Sequence, residues 1–266
     1  MTELTAYLTG IGVVGPGLAD WPATESILAG HQPYTYAEPV LPPPETLAPT
    51  ERRRAGRVVR LALAVGLEAT HRAGSNPAEL PVVFASSGGD GDNCDAICQT
   101  LASPNRALSP TRFHNSVHNA PAGYWSIAAG ARVATTTVCC YDASFAAGLL
   151  EALVQCVSSG TETALIAYDL DYPPPLRAAR ATATPFGVAL LLHPTRAAGA
   201  VVRLSARVAS GTPHHLDHAE LASLVATNPA ARSLVLLEAI ARRLVATVEL
   251  PYLEPATLEV EVTPCD

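Results

Sequence analysis

Two consecutive runs decide the fold: Phe113-His-Asn-Ser-Val-His-Asn-Ala-Pro-Ala-Gly-Tyr-Trp-Ser-Ile-Ala-Ala-Gly130, and then Thr135-Thr-Thr-Val-Cys-Cys-Tyr-Asp-Ala-Ser144. The first has a polar entry, a helical pattern over 117–129 and a stop at Gly130. The second opens with β-branched residues, which fit a strand over 135–139. A small-residue helix is expected over 143–157, where Ala146, Ala147 and Gly148 let its backbone approach a sheet closely. Helix, strand and helix in such quick succession point to an α/β layered fold.

The same alternation extends in both directions. Residues 6–14 read as a strand ending at Gly15-Pro-Gly17, and 21–29 as a helix. Residues 31–49 are too rich in proline for regular structure and are expected to form an ordered surface excursion. Thr50 is expected to cap a helix of about twenty residues that stops near Gly74. A buried strand over 80–86 then enters Ser87-Gly-Gly-Asp-Gly-Asp92, and 93–102 are helical. Downstream, 163–168 form a buried strand, 186–193 and 200–209 a strand pair joined through Gly199, and 217–226 and 231–246 helices. Residues 258–262 are expected as a final edge strand. No internal repeat is visible, and 1–266 read as a single domain.

Almost half the residues are apolar (48%) and few are charged (15%), so a sizeable core can form. The net charge is −7 and all 17 basic residues are arginine; there is no lysine. The longest basic run is Arg52-Arg-Arg54, a solvated helix face or a contact for an acidic partner. Nucleic acid is not expected as a partner, because no broad cationic surface can be assembled. The N-terminus lacks the features of a secretory signal, and no stretch is long enough for a membrane span. Six cysteines without a dense framework read as thiols of a cytoplasmic protein. Cys94 and Cys98 stand i, i+4 on a helix and are expected to be buried apolar thiols; no metal site is expected. His214, His215 and His218 imitate a metal cluster, but a solvated helix start explains them.

The order of these segments resembles the N-terminal half of the thiolase-like β-ketoacyl synthase fold, a mixed sheet covered by helices. Tyr7-Leu-Thr-Gly-Ile-Gly-Val-Val-Gly-Pro16 resembles that family's first strand and turn. Ala85-Ser-Ser-Gly-Gly89 and Phe186-Gly-Val-Ala-Leu-Leu-Leu192 resemble later ones. More narrowly, Phe113–Ala129 and Ser144–Ala152 are similar to the chain-length-factor subunits of aryl polyene-like type II polyketide and fatty acid systems. The resemblance implies a chain that lacks most of the C-terminal catalytic half, with its lysine and its histidines in a His-Gly-Thr-Gly-Thr setting. It needs no cofactor.

In ketosynthases the nucleophilic cysteine lies at the turn between the strand and the small-residue helix. Twenty-three residues separate Asn119 of Asn119-x-x-Ala122-Gly123 from Asp142, which falls at that position; Cys140 needs a two-residue gap. A carboxylate cannot replace a thiolate there, since acylation would give an anhydride. Asp142 is then either a cap for the helix that follows or a tunnel-gating or decarboxylase-like carboxylate. Cys139 and Cys140 would face opposite sides of a strand, and activation needs a neighbouring histidine or helix N-terminus.

No catalytic residue is therefore expected. The resemblance implies a partner, a catalytic β-ketoacyl synthase subunit forming a heterodimer, together with an acyl carrier protein bearing the acyl chain. Phe113, His114, His118, Tyr124 and Trp125 are the candidate lining of the acyl tunnel. Ordinary core packing is the competing reading for the aromatics, and hydrogen-bonded helix entry for the two histidines. The rival functions are a stand-alone acyltransferase using Cys140, and a purely structural scaffold subunit.

Overall fold

A single strand near the N-terminus, β1 (Leu4–Val14), runs through the interior of the sheet and organises everything else. The structure, a computed structural model, describes residues 3–265. Along the chain follow α1 (Trp21–Leu28), α2 (Pro49–Arg54), α3 (Arg57–Ala73), β2 (Val82–Ala85), α4 (Gly91–Ala102), α5 (Pro110–His114), α6 (Ala120–Ala129) and β3 (Thr135–Val138). Then come α7 (Ser144–Ser159), β4 (Thr163–Asp169), α8 (Pro174–Ala179), β5 (Phe186–His193), β6 (Val202–Ala209), α9 (Ala222–Thr227), α10 (Leu234–Ala241), β7 (Ala246–Pro251) and β8 (Thr257–Pro264).

The strands form one mixed sheet in the order β3-β2-β4-β5-β1-β6-β8-β7. β2 is parallel to β3 and β4, and every other pair is antiparallel. Alternate strand residues feed two cores, as the period of two requires. On one face α7, α1 and α10 cover Leu8, Ile11, Leu165, Leu190 and Leu204. On the other α3 and α6 cover Phe84, Ile166 and Leu191. α3 crosses β1 so closely that a Cβ on Gly12 would lie 2.1 Å from the Val65 carbonyl oxygen. Only glycine fits that crossing.

Several expectations need correction. Residues 186–193 and 200–209 are strands, but they are not paired: β1 lies between β5 and β6 and bonds to both. The segment 258–262 is not an edge strand, because β8 lies between β6 and β7. The edge on that side is β7, which begins where the 231–246 helix was expected to end. α10 stops at Ala241, Arg243 takes a left-handed φ of 51°, and the chain then alternates in burial as a strand does. The long helix from Thr50 is two helices, because Ala55 and Gly56 are extended between α2 and α3. The expected 117–129 helix starts only at Ala120, with Pro121 in the first turn where its missing N–H is harmless. Cys94 and Cys98 are exposed, not buried, because α4 is a surface helix.

Candidate functional site

The turn between β3 and α7 is the place where a nucleophile would stand, and its backbone is unusual. Tyr141 has φ 51°, a left-handed conformation that a bulky residue adopts only when its surroundings hold it there. Tyr141–Ala143 form a 3-10 turn, and α7 begins at Ser144. The Ser144 hydroxyl accepts from the Cys140 N–H (3.0 Å) and donates to the Tyr141 carbonyl (2.7 Å), which closes the turn. The left-handed residue is thus Tyr141, one position before Asp142 and one after Cys140. Its ring is exposed.

Asp142 does not cap α7, whose N-cap position is Ala143. Its carboxylate is instead held by two arginines from distant segments. Arg180 donates to Oδ1, and Arg232 donates to Oδ2 at 2.9 Å and to the Asp142 carbonyl at 3.0 Å. The Arg180 guanidinium also lies over the Tyr141 ring, 3.8 Å from its centre. Sequence reasoning missed both arginines, which lie 38 and 90 residues from Asp142. An acidic residue at a turn carries no local signal for such partners.

Behind the turn lies a second carboxylate, Asp169, at the end of β4. It accepts from the Ser87 N–H (2.8 Å), the Ser87 hydroxyl (2.7 Å), the Ser86 hydroxyl (3.2 Å) and the Ala230 N–H (3.1 Å). Burial outweighs these bonds and the nearby Arg180 charge and pushes its pKa up to about 6. The Ser86–Ser87 carbonyls also receive His118 Nε2 (3.2 Å) and Cys139 Sγ (3.4 Å). His118 is therefore tied to the turn after β2. Cys140 is half-buried, and burial, followed by the neighbouring Cys139, raises its thiol pKa. Among the described residues no hydrogen bond joins its thiol to a base.

The candidate tunnel residues separate into two groups. Phe113, His114 and Tyr124, with Val117, Gly123 and Ile127, line a cavity of about 500 Å3 on the outer face of α5 and α6. The His114 and Tyr124 rings meet edge to face, 6.1 Å apart, and the Tyr124 hydroxyl bonds to Asn115. Phe113 is 66% exposed, and Val117 and Ile127 are also exposed. Trp125 points the opposite way: it is 0% exposed, edge-on to Phe84, and packs where a Cβ on Gly66 would be 2.6 Å from its ring. It belongs to this chain's own core and cannot wall a cavity in a neighbour.

Among the described residues no group of three or more metal-ligating side chains converges. His214 instead accepts from the Glu249 N–H, and His218 lies edge-on to Tyr34. No helix among the described residues is long and apolar enough to cross a membrane. Arg52 of the arginine run turns back to the carbonyls of Glu45 and Leu47 and pins the proline-rich segment, while Arg53 and Arg54 are exposed.

Residues 26–247 match the family model for the β-ketoacyl synthase N-terminal domain. No curated protein matches the chain. Among solved structures, the fold is similar to one of the complex between the ketosynthase ApeO and its chain length factor ApeC from Xenorhabdus doucetiae. That match has TM-score 0.74 and 23% identity, and covers 97% of this chain and 99% of that one. A chain of the ishigamide ketosynthase/chain length factor matches with TM-score 0.72 and 16% identity over 98% and 100% of the two chains. A chain of a type II polyketide ketosynthase complex with its acyl carrier protein, AntDE:AntF, matches with TM-score 0.77 and 10% identity over 99% and 100%.

Proposed function

Because the chain belongs to the family of β-ketoacyl synthase N-terminal domains, we propose that it is a non-catalytic, chain-length-factor type subunit. It pairs with a catalytic β-ketoacyl synthase in the cytoplasm and limits product length during decarboxylative condensation of carrier-protein thioesters. The observation that carries this reading is the turn before α7. It presents Tyr141 and an Asp142 already held by Arg180 and Arg232, with no activated thiol. Acyl transfer needs a nucleophile with a base in reach. Cys140, the rival nucleophile, has a raised pKa and no base bonded to its thiol among the described residues.

The pairing surface is the α5–α6 face together with the open edge of β3. β3 bonds only to β2, so its other side offers unpaired backbone groups, a template that isolated proteins normally cover. Exposed Phe113, Val117 and Ile127 add an apolar patch of the kind that marks protein interfaces. In this arrangement Phe113, His114 and Tyr124 face the partner and its acyl chain. Exposed Arg53 and Arg54 suit an acidic carrier protein.

The test is reconstitution with a ketosynthase and malonyl-carrier protein. The chain alone is expected to form no condensation product, the pair to form a discrete product, and Phe113→Ala to lengthen or broaden that product with the complex intact. Steady condensation by the chain alone, lost in Cys140→Ala, would establish the acyltransferase reading instead. Unchanged product length in an intact complex would leave only a scaffold role.

A further inference from the structure

A second, larger cavity lies away from the α5–α6 face, between the loop after β1, the outer side of α3 and the proline-rich segment. Its volume is about 870 Å3, within the size range of small-molecule sites. Leu63, Ala64 and Leu67 of α3 form one wall, and Pro42, Pro43 and Pro44 the other. Consecutive prolines have fixed φ and no N–H, so that wall is stiff and donates no hydrogen bonds.

The charges around this cavity narrow the ligand class. Arg60 is the one basic residue in the lining. Its side chain makes no hydrogen bond or ion pair with any described residue, and its Nε is shielded from solvent without a partner. Asp20, Glu38, Glu45 and Glu68 also line the cavity. Three of them already have donors: Glu68 holds the Val13 and Trp21 N–H groups, Asp20 the Ala23 N–H and Glu38 the Tyr36 hydroxyl. Their negative charge still opposes a further anion. An ammonium would leave the Arg60 donors unanswered and add a like charge beside them. A neutral molecule with an apolar body and a carbonyl oxygen satisfies both conditions.

We propose that this cavity binds a neutral acyl ester, with the hydrocarbon against α3 and the prolines and the carbonyl oxygen on Arg60. The proposal does not depend on the subunit role above, since the two cavities share no lining residue.

Titration of the full chain with the fluorescent methyl ester of cis-parinaric acid tests it, with the free acid as comparison. The ester is expected to bind saturably, one per chain, and about tenfold more tightly than the ionised acid. Arg60→Leu removes a charged donor and should weaken ester binding by about tenfold or more. Ala64→Phe fills the cavity from the partly exposed side of α3 and should abolish binding; Leu67→Trp does the same from the next turn. Phe113→Ala, in the other cavity, should change nothing. Equal affinity for acid and ester, absence of saturable binding, or ester binding that survives both filling variants in folded protein would overturn the proposal. So would loss of binding in Phe113→Ala alone.

Discussion

Arg180 stacks on the ring of Tyr141 and, with the same guanidinium, holds the carboxylate of Asp142. One cation thus braces two successive residues of the turn before α7. A left-handed backbone at a bulky residue costs about 1–2 kcal/mol and persists only where its neighbours enforce it. Arg232, bonded to both the carboxylate and the carbonyl of Asp142, supplies the second brace.

Asp142→Ala should therefore loosen this turn and not the fold as a whole. The carboxylate is 42% exposed, so the loss is modest, about 1 kcal/mol for its hydrogen bonds after solvent screening. A double-mutant cycle with Arg180→Ala in urea should return a coupling energy of similar size. Strict additivity of the two losses would show that the ion pair contributes nothing.

Stability should fall as pH rises from about 4 to about 6. Asp169 has its pKa raised by burial from 3.8 to about 6, so the folded state holds its proton more tightly than the unfolded chain does. Its contribution is fully present below the unfolded value and lost as pH climbs through the folded one, a change of about 3 kcal/mol for a shift of this size. Urea unfolding of the wild type and Asp169→Asn across that range gives the comparison. The same slope in both proteins would assign it to other groups.

Trp125→Ala and Phe113→Ala should differ in kind. The first empties a fully buried site between α3, α6 and β2 and should cost roughly 3–5 kcal/mol. The second trims a mostly exposed ring and should stay within about 0.5 kcal/mol in the isolated chain. Thermal melts of the two variants measure the difference, and comparable losses would place Phe113 in the core.

Alkylation should discriminate among the cysteines. Cys139 is exposed and should react with iodoacetamide before Cys140, whose thiol burial pushes up. Cys156 is buried against β5 with its pKa pushed up to about 12, and should stay unmodified until the protein unfolds. Mass spectrometry of timed digests gives the order; early modification of Cys156 would contradict it.

Strands β1 and β5 and helices α3 and α7 were legible because each is an apolar or amphipathic run that stops at a glycine or proline, while β2 and β4 stood out as short continuous apolar runs and β3 by its β-branched residues. What escaped was decided between segments. Nothing in Phe186–His193 or Val202–Ala209 announces that a strand from the other end of the chain separates them. Ala246–Pro251 alternates, but over only six residues directly after an apolar helix, so it does not stand out from that helix. Asp142 was legible as a position, but not the two arginines that answer it. Tyr124 and Trp125 are adjacent in sequence, yet one borders an outer cavity and the other fills the core. That orientation depends on where α6 lies on the sheet, and its apolar composition on every side does not reveal it.

The interior position of β1 also constrains how the polypeptide leaves the ribosome. Within β1, Tyr7 has two cross-strand neighbours, His193 and Arg203, which are made some two hundred residues later. Until then the strand has no ladder to join, and both its sides remain open to pairing with other chains. Closure of the sheet is thus a late event in synthesis, and a nascent chain halted before β6 carries an unsatisfied strand that invites aggregation. Codon-level pausing or chaperone capture ahead of that point should matter more for the yield of this protein than any change near its C-terminal edge.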